Sequence, residues 1–357
     1  MAAKENGFVR DWVTAPGDST EIDASPAPVQ LSIIYVNWNS LDFLEKSIAS
    51  VLRHTSSTAI EMIVVDNAST SDGSQAGLEK IAAMWPGIRI FPLRQNVGFA
   101  GANNLGASHA RGETLLLLNP DTELRGPAID TMMAHLANLS NAGVLGCRLL
   151  NPDGSVQTSS IQLLPTIPNQ ILDSEALRLR WPGCPLWRIE PLFRQVDTPV
   201  EVETISGACM LVPKPVFLGV GGFSEEYFMY AEDMDLCYKI AKSGFRNYYC
   251  GDATMIHYGG RSSSRQTVSQ WATHMKFRAM VMLLRKMRGS LYAFVYRIAM
   301  FLMAIVRLAL IGGALCVNWR NHARTSLWWS WSKWVAVLNA SLAGDKAIQG
   351  VLTAMRI

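Results

Sequence analysis

Between Leu31 and Cys147 the sequence switches repeatedly between two hydrophobic periods, and this alternation constrains the fold more than any other feature. Leu31 to Asn37, Ile60 to Asp66, Ile88 to Leu93, Thr114 to Leu118 and Val144 to Cys147 are short β-branched or leucine-rich runs that read as strands. Between them, Leu41 to Arg53 carries Leu41, Leu44, Ile48 and Leu52 at helical spacing, and Ser74 to Met84, Gly98 to Ala110 and Ala128 to Leu139 predict further helices. Strand and helix in turn make an α/β domain on an open, mainly parallel sheet, and the run Leu115 to Leu118 is greasy enough for a strand buried on both faces. With 49% hydrophobic and 17% charged residues over 357 positions, the chain can fill such a core.

Sheets of this kind bind ligands beyond the carboxyl ends of their strands. Those ends read Asn37-Trp38-Asn39, Asp66-Asn67-Ala68-Ser69, Arg94-Gln95-Asn96-Val97-Gly98-Phe99-Ala100 and Asn119-Pro120-Asp121. Any one of them could be a helix cap or an Asx-turn, but four together predict a polar site. Asn-Pro-Asp returns at Asn151-Pro152-Asp153, there followed by Gly154, which is the signature of a tight turn. Gly98, Gly101 and Gly106 do not fit the dinucleotide pattern G-x-G-x-x-G, which argues against a nicotinamide enzyme. Residues 151 to 200 hold seven of the sixteen prolines and read as an irregular insertion around the site. Glu201 to Val212 follows as a strand with Thr204 to Ala208 at its centre.

Five carboxylates then crowd together: Glu225, Glu226, Glu232, Asp233 and Asp235. Acids in a first helical turn complement the helix dipole, and a helix from Ala231 to Ser243, stopped by Gly244, explains some of them. On that helix Asp235 is expected to pair with Lys239 on the exposed side. Asp233 shares a face with Leu236, Cys237 and Ile240, which turns a carboxylate inward, where an idle charge is costly, and Glu232 sits at the edge of that face. His257 follows an apparent strand, and a lone histidine there is ordinarily structural.

The last quarter is different in kind. No acid lies between Asp252 and Asp345, whereas twelve Lys and Arg and six of the eleven tryptophans fall from Arg261 to Trp334. Ile298 to Val317 is a 20-residue apolar run, about 30 Å long as a helix. Arg307 near its middle costs roughly 2.5 to 3.5 kcal/mol in a simple span, and the basic loop Arg320 to Arg324 opposes translocation. Helices lying in the cytoplasmic membrane face are therefore expected, with a buried helical subdomain or dimer interface as the alternative. The apolar run fits nucleic acid poorly. Residues 1–30 lack a basic start and an apolar h-region and read as a flexible tail without a secretion signal. The six cysteines show no Cys-x-x-Cys spacing and are expected to be reduced thiols.

Taken in order, Val36-Asn-Trp-Asn39, Val65-Asp-Asn-Ala-Ser69, Asn96-Val-Gly-Phe-Ala100 with Asn103-Asn104, Leu118-Asn-Pro-Asp121, Ser206-Gly-Ala208, Glu232-Asp233 and His257 resemble the family 2 inverting glycosyltransferases of the GT-A fold. Within them the sequence looks like the rhamnosyltransferase-like branch that builds bacterial surface polysaccharides. The match runs from about Leu31 to Arg265, so the resemblance implies a catalytic domain over residues 31–265 and a membrane-associated helical region over 266–357.

The resemblance also implies a nucleotide-diphosphate sugar donor, with rhamnose as the family-level expectation for the sugar. The donor would be held by Val36, Asn37, Asn39, Asp66, Arg94, Asn96, Gly98, Asn103, Asn104, Asn119 and Asp121. Asp121 takes the place of the family's metal-binding Asp-x-Asp, with His257 as a second ligand for Mg²⁺ or Mn²⁺. The chain departs from the family at Asn119, where the first acid is missing. Asp233, with Glu232 beside it, is implied as the general base, and Ser206, Gly207, Glu225 and Tyr230 as the acceptor side. A basic, Trp-rich tail suits a lipid-linked saccharide acceptor at the membrane surface. A sugar nucleotidyltransferase and a non-catalytic sugar-binding or membrane-scaffolding protein remain as the other readings. The first would need a Gly-rich basic phosphate loop near Asn37 to Ser40, which is absent, and the second has no use for an inward Asp233.

Overall fold

A computed structural model describes residues 29–71, 73–259, 266–317 and 324–343. The expected tail over residues 1–30 lies almost wholly outside these residues, as do residues 320–323 of the expected basic loop. The N-terminal half of the domain runs β1 (Leu31–Asn37), α1 (Leu41–His54), β2 (Ile60–Asp66), α2 (Ser74–Met84), β3 (Ile88–Pro92), α3 (Gly98–His109), β4 (Thr114–Leu118), β5 (Thr122–Leu124), α4 (Ala128–Ala137) and β6 (Ala142–Leu150). It continues through β7 (Ile161–Gln162), α5 (Ile167–Ile171), α6 (Glu175–Arg180), β8 (Val200–Val202), β9 (Thr204–Ile205), β10 (Cys209–Pro213), α7 (Lys214–Gly219), α8 (Glu232–Lys242) and β11 (Arg246–His257). Three long helices close the chain: α9 (Gln266–Arg288), α10 (Ser290–Val317) and α11 (Arg324–Leu342).

The main sheet has the order β3-β2-β1-β4-β10-β6-β11-β5, with β8 added on β11. β1, β2, β3 and β4 are parallel, and so are β6 and β11. β10 is antiparallel to both β4 and β6, so the sheet is mixed but mostly parallel. Successive residues of a strand face opposite sides, and both sides are apolar here. Ile33, Tyr35, Leu116 and Leu118 pack beneath α1 and α4, while Ile34, Leu115 and Leu117 pack beneath α3 and α8. Leu115 to Leu118 are at most 2% exposed, and each such leucine gains about 1.5–3 kcal/mol over remaining in water.

Glu201 to Val212 is not one strand. It splits into β8 on an edge, β9 in a small sheet with β7, and β10 inside the main sheet. The break falls at Ser206 to Ala208, where the backbone leaves the ladder to bond with other loops. α9, α10 and α11 pack on one another through Phe277, Leu284, Tyr296, Met300, Ala304 and Val337. α10 is long and apolar enough to cross a membrane by length and composition. One side of it carries Ala293, Tyr296, Met300 and Ala304, all buried, while Leu291, Val295, Ile298, Leu302, Val306 and Leu310 on the other are exposed. The guanidinium of Arg307 lies 5.4 Å above the ring of Trp334, so the mid-helix charge is turned toward α11.

Candidate active site

The carboxyl ends of β1 and β2 meet in a hydrogen-bonded knot. Asp66, nearly buried, accepts from Asn37 Nδ2 at 2.7 Å, from Ser69 Oγ at 2.6 Å and from Ser69 N at 3.1 Å. Asn37 is fully buried, and its Oδ1 takes Ser40 Oγ at 3.0 Å. Asn39 adopts a left-handed φ of 52° and accepts from Thr70 N at 2.8 Å and Ser71 N at 2.9 Å. Val36 is half-buried next to this knot, whereas Asn39 and Arg94 are exposed at its rim.

The third strand end is tied to the second. Asn67 donates to Asn96 Oδ1 at 2.9 Å and accepts from Val97 N at 2.9 Å, and Asn96 Oδ1 also takes Gly98 N at 2.9 Å. Gly98 has φ 80°, and a Cβ there would lie 2.4 Å from the carbonyl oxygen of Phe228, so only glycine fits. That same carbonyl accepts from Phe99 N at 3.0 Å, which docks the start of α3 on the acidic loop. Asn103 is buried and donates to Phe99 O at 3.0 Å, while Asn104 clasps both backbone groups of Phe223 at 2.9 Å. The side chains of Asn37, Asn103 and Asn104 are thus bonded within the protein, where they build the walls of the site.

Asp121 and His257 come together because β5 pairs with β11, setting His257 opposite Thr122. Their Oδ1 and Nε2 atoms are 3.3 Å apart. Gln157 fixes the imidazole: its Nε2 donates to His257 O at 2.6 Å and to Asn151 Oδ1 at 3.0 Å, which leaves Oε1 to accept from His257 Nδ1 at 2.9 Å. With Nδ1 donating to Gln157, Nε2 faces the carboxylate, and a proton or a metal ion between the two atoms satisfies both. Two ligands at right angles, each about 2.1 Å from one ion, lie about 3 Å apart. A carboxylate oxygen with an imidazole nitrogen therefore fits a divalent cation. Among the described residues no third His, Cys, Asp or Glu completes the set. The second Asn-Pro-Asp is the expected turn, closed by Gly154 N to Asn151 O at 2.9 Å, and it also buttresses Gln157.

α8 begins under strain. Tyr230 and Ala231 are consecutive left-handed residues with φ 73° and 64°, at a cost of roughly 1–3 kcal/mol each. Asp233 then turns its carboxylate to the β9–β10 loop, where Oδ2 accepts from Gly207 N at 2.9 Å and Oδ1 from Met234 N at 2.8 Å. Burial holds Asp233 above the usual carboxylate range, against the opposing pull of these backbone donors. Glu232 lies deeper than the expected edge position, at 7% exposure. Its Oε2 makes no hydrogen bond among the described residues. Burial, and then the neighbouring Asp233, push Glu232 up to about 8. Glu225 is exposed, 3.4 Å from Asn104 Nδ2, and Ser206 is half-buried beside Gly207.

The expected pairing of Asp235 with Lys239 is present, but its exposed placement is overturned. Asp235 is fully buried, accepts from Ser224 Oγ at 2.5 Å and lies 2.7 Å from Lys286 of α9, while Lys239 completes the i,i+4 pair at the longer distance of 3.9 Å and also donates to Gly222 O. The physical reason is that α9, fifty residues onward, folds over the face that the helix alone would leave to solvent.

These parts form one site. Gly207 bonds Asp233, the carbonyl of Ala208 accepts from Asn119 N at 3.0 Å, and Asn119 Nδ2 lies 3.5 Å from His257 Nε2. The Phe99 ring, from the Asn96 to Ala100 loop, is 3.7 Å from where a Cβ on Gly207 would stand. The sequence marks Asn151 only as part of a turn and gives Gln157 and Lys286 no role, since Gln157 sits in a stretch with no periodicity and Lys286 is one of many basic residues.

The chain is 31% identical over 264 residues to the N-acetylglucosaminyl-diphospho-decaprenol L-rhamnosyltransferase of Mycobacterium tuberculosis, a match covering 69% of this chain and 81% of that relative. The family model for glycosyl transferase family 2 matches residues 32–193. The chain belongs to glycosyl transferase family 2. Among solved structures, this family 2 chain resembles the Pyrobaculum calidifontis mannosyltransferase PcManGT in complex with GDP-Man and Mn²⁺, with TM-score 0.53, 15% identity and 90% of each chain covered. It also resembles GalNAc-T7 with UDP, GalNAc and Mn²⁺, with TM-score 0.54, 16% identity and coverage of 72% of this chain and 48% of that one. The fold is accordingly GT-A-like, and the protein is a rhamnosyltransferase-like glycosyltransferase. Nucleotidyltransferase and scaffold readings fall away.

Proposed function

We propose that this glycosyltransferase moves a sugar, with inversion at the anomeric carbon, from a nucleotide-diphosphate donor to a hydroxyl of a lipid-linked saccharide in surface polysaccharide synthesis. The observation that carries this reading is Asp233, a carboxylate raised by burial, aimed by Gly207 N–H and joined through Ala208 and Asn119 to the Asp121–His257 pair. Asp233 accepts the proton of the acceptor hydroxyl as that oxygen attacks the face of the sugar opposite the diphosphate. Burial, and then Asp233 itself, favour the protonated form of Glu232, which lessens the charge beside the base. Asp121 and His257 would hold Mg²⁺ or Mn²⁺, which stabilises the charge gathering on the departing nucleoside diphosphate. Asn39, Asp66, Arg94 and the Asn96 to Gly98 loop form the donor side, and Ser206, Gly207, Glu225 and Tyr230 form the acceptor side. Rhamnose as the sugar rests on the activity of the mycobacterial relative.

The basic α9 and the exposed apolar side of α10 favour a seat on the cytoplasmic face of the membrane, where an anionic lipid-linked acceptor is found. The experiment that tests the reading is a transfer assay with nucleotide sugars and a prenyl-diphosphate saccharide acceptor, with the product's anomeric configuration read by NMR. Inversion is expected, and a retained configuration would overturn the mechanism.

A further inference from the structure

α9 does more than lead into the apolar helices. It lies across the back of the segment Ser224 to Asp235 and touches it along its length. The Trp271 ring meets Phe228 edge-on at 6.4 Å, and Lys276 Nζ stands 4.8 Å above the ring of Tyr230. Ala279 and Leu283 are buried against Tyr227, Ala231 and Met234. One turn further, Lys286 reaches Asp235 at 2.7 Å and Ser224 Oγ at 3.1 Å, with Glu226 at 4.0 Å. Tyr230 and Ala231 are the two left-handed residues that launch α8, a conformation that persists only where surrounding structure over-determines it.

We propose that Lys286 is a positioning residue for catalysis: by neutralising buried Asp235 it holds the start of α8, and with it Asp233, in working position and charge state. This inference rests on Asp233 being the base. The groups facing the Asp233–Asp235 turn are Glu232, Cys237 and Lys239 on α8, Glu226 and Tyr227 before it, and Lys286 from α9. Lys286 forms the closest ion pair with Asp235. Without it, buried Asp235 keeps only the longer 3.9 Å pairing with Lys239, and an under-compensated charge sits two residues from the base, on the same helix turn. The C-terminal region is then part of the catalytic machinery as well as an anchor.

The test uses the full-length chain and its Lys286→Met, Lys286→Arg and Asp235→Asn/Lys286→Met variants. Lys286→Met is expected to lose roughly 10²-fold in kcat, keep its donor KM, and move the acid limb of its pH profile upward, because an Asp235 left with only the longer Lys239 pairing opposes ionisation of Asp233. Lys286→Arg and the double variant are expected to recover most of the rate and the original profile. An unchanged kcat and profile in Lys286→Met, or no recovery in the double variant, overturns the proposal. Melting temperatures without substrate, lowered in Lys286→Met and restored in the double variant, read the ion pair independently. If the wild type transfers no sugar yet that pattern holds, the proposed function has failed and the ion pair has not.

Discussion

Gly207 N–H donates to Asp233 Oδ2 at 2.9 Å, and the carbonyl of the next residue, Ala208, accepts from Asn119, two positions before Asp121. One loop therefore reports to both halves of the site. Asp233→Asn keeps one oxygen for Gly207 to donate to, and it removes the ionisable group together with the acceptor that faces Met234 N. It is expected to fold and to bind donor as the wild type does, while kcat falls by roughly 10²- to 10⁴-fold. Single-turnover transfer beside calorimetric donor binding checks this, and near wild-type transfer would remove Asp233 from the role of base.

The Asp121–His257 pair predicts a metal-dependent donor affinity. In Asp121→Ala and His257→Ala, the gain in donor affinity that Mn²⁺ confers on the wild type is expected to drop at least tenfold, or about 1.4 kcal/mol. Gln157→Ala frees the imidazole and is expected to lose part of that gain. In the presence of a chelator all four proteins should bind donor alike. Titration calorimetry with and without Mn²⁺ measures the difference, and equal metal responses in wild type and Asp121→Ala would count against the pair as ligands.

Much of this was legible from local pattern alone. The first strands end where the period changes, since parallel strands buried on both faces write continuous apolar runs, and the polar tripeptides at their ends mark the loops that meet. What the pattern could not carry was contact between distant segments. Helical spacing turns Asp235 toward water, and only the fold of α9 makes that face an interior one. The break in Glu201 to Val212 looks from sequence like a continuous β-branched run, because Ser206 to Ala208 leaves the sheet to meet Asp233 and Asn119, neither of them local. Gln157 carries no periodic signal at all, and its role exists only through His257.

Glu232 predicts a pH dependence of stability. The folded chain holds this proton up to about 8, against an ordinary value of 4.5. Its folded value is raised, so the folded state binds more protons between those limits. Stability from this group is full below the lower limit and is lost as pH rises toward the upper one. The loss is on the order of a few kcal/mol. Glu232→Gln is expected to flatten the fall in melting temperature across that window. Parallel curves for the two proteins would show that Glu232 is not held protonated.

Gly98→Ala tests the junction between the donor loop and the acidic loop. An alanine there meets both a left-handed φ of 80° and a carbonyl oxygen 2.4 Å away. The backbone conformation alone costs about 1–2 kcal/mol, and the clash with Phe228 adds to it. Equilibrium unfolding in denaturant is expected to show at least that loss, together with weaker donor binding, because Phe99 N no longer reaches Phe228 O. Gly73, also left-handed but with open space where a Cβ would go, serves as the control for φ without a clash.

The exposed side of α10 predicts membrane docking separable from folding. Ile298, Leu302 and Leu310 are 44%, 55% and 66% exposed, so replacing them with glutamate removes little packing. Burial of each side chain in the acyl boundary is worth on the order of 1 kcal/mol, and the new carboxylates are repelled by anionic headgroups. The triple variant Ile298→Glu/Leu302→Glu/Leu310→Glu is expected to keep its melting temperature yet lose at least tenfold in co-sedimentation with anionic vesicles. Transfer to a short-chain, water-soluble acceptor should survive, since Lys286 and the α9 contacts with the acidic loop are untouched. Full-strength vesicle binding by the triple variant would assign the docking surface to some other part of the chain.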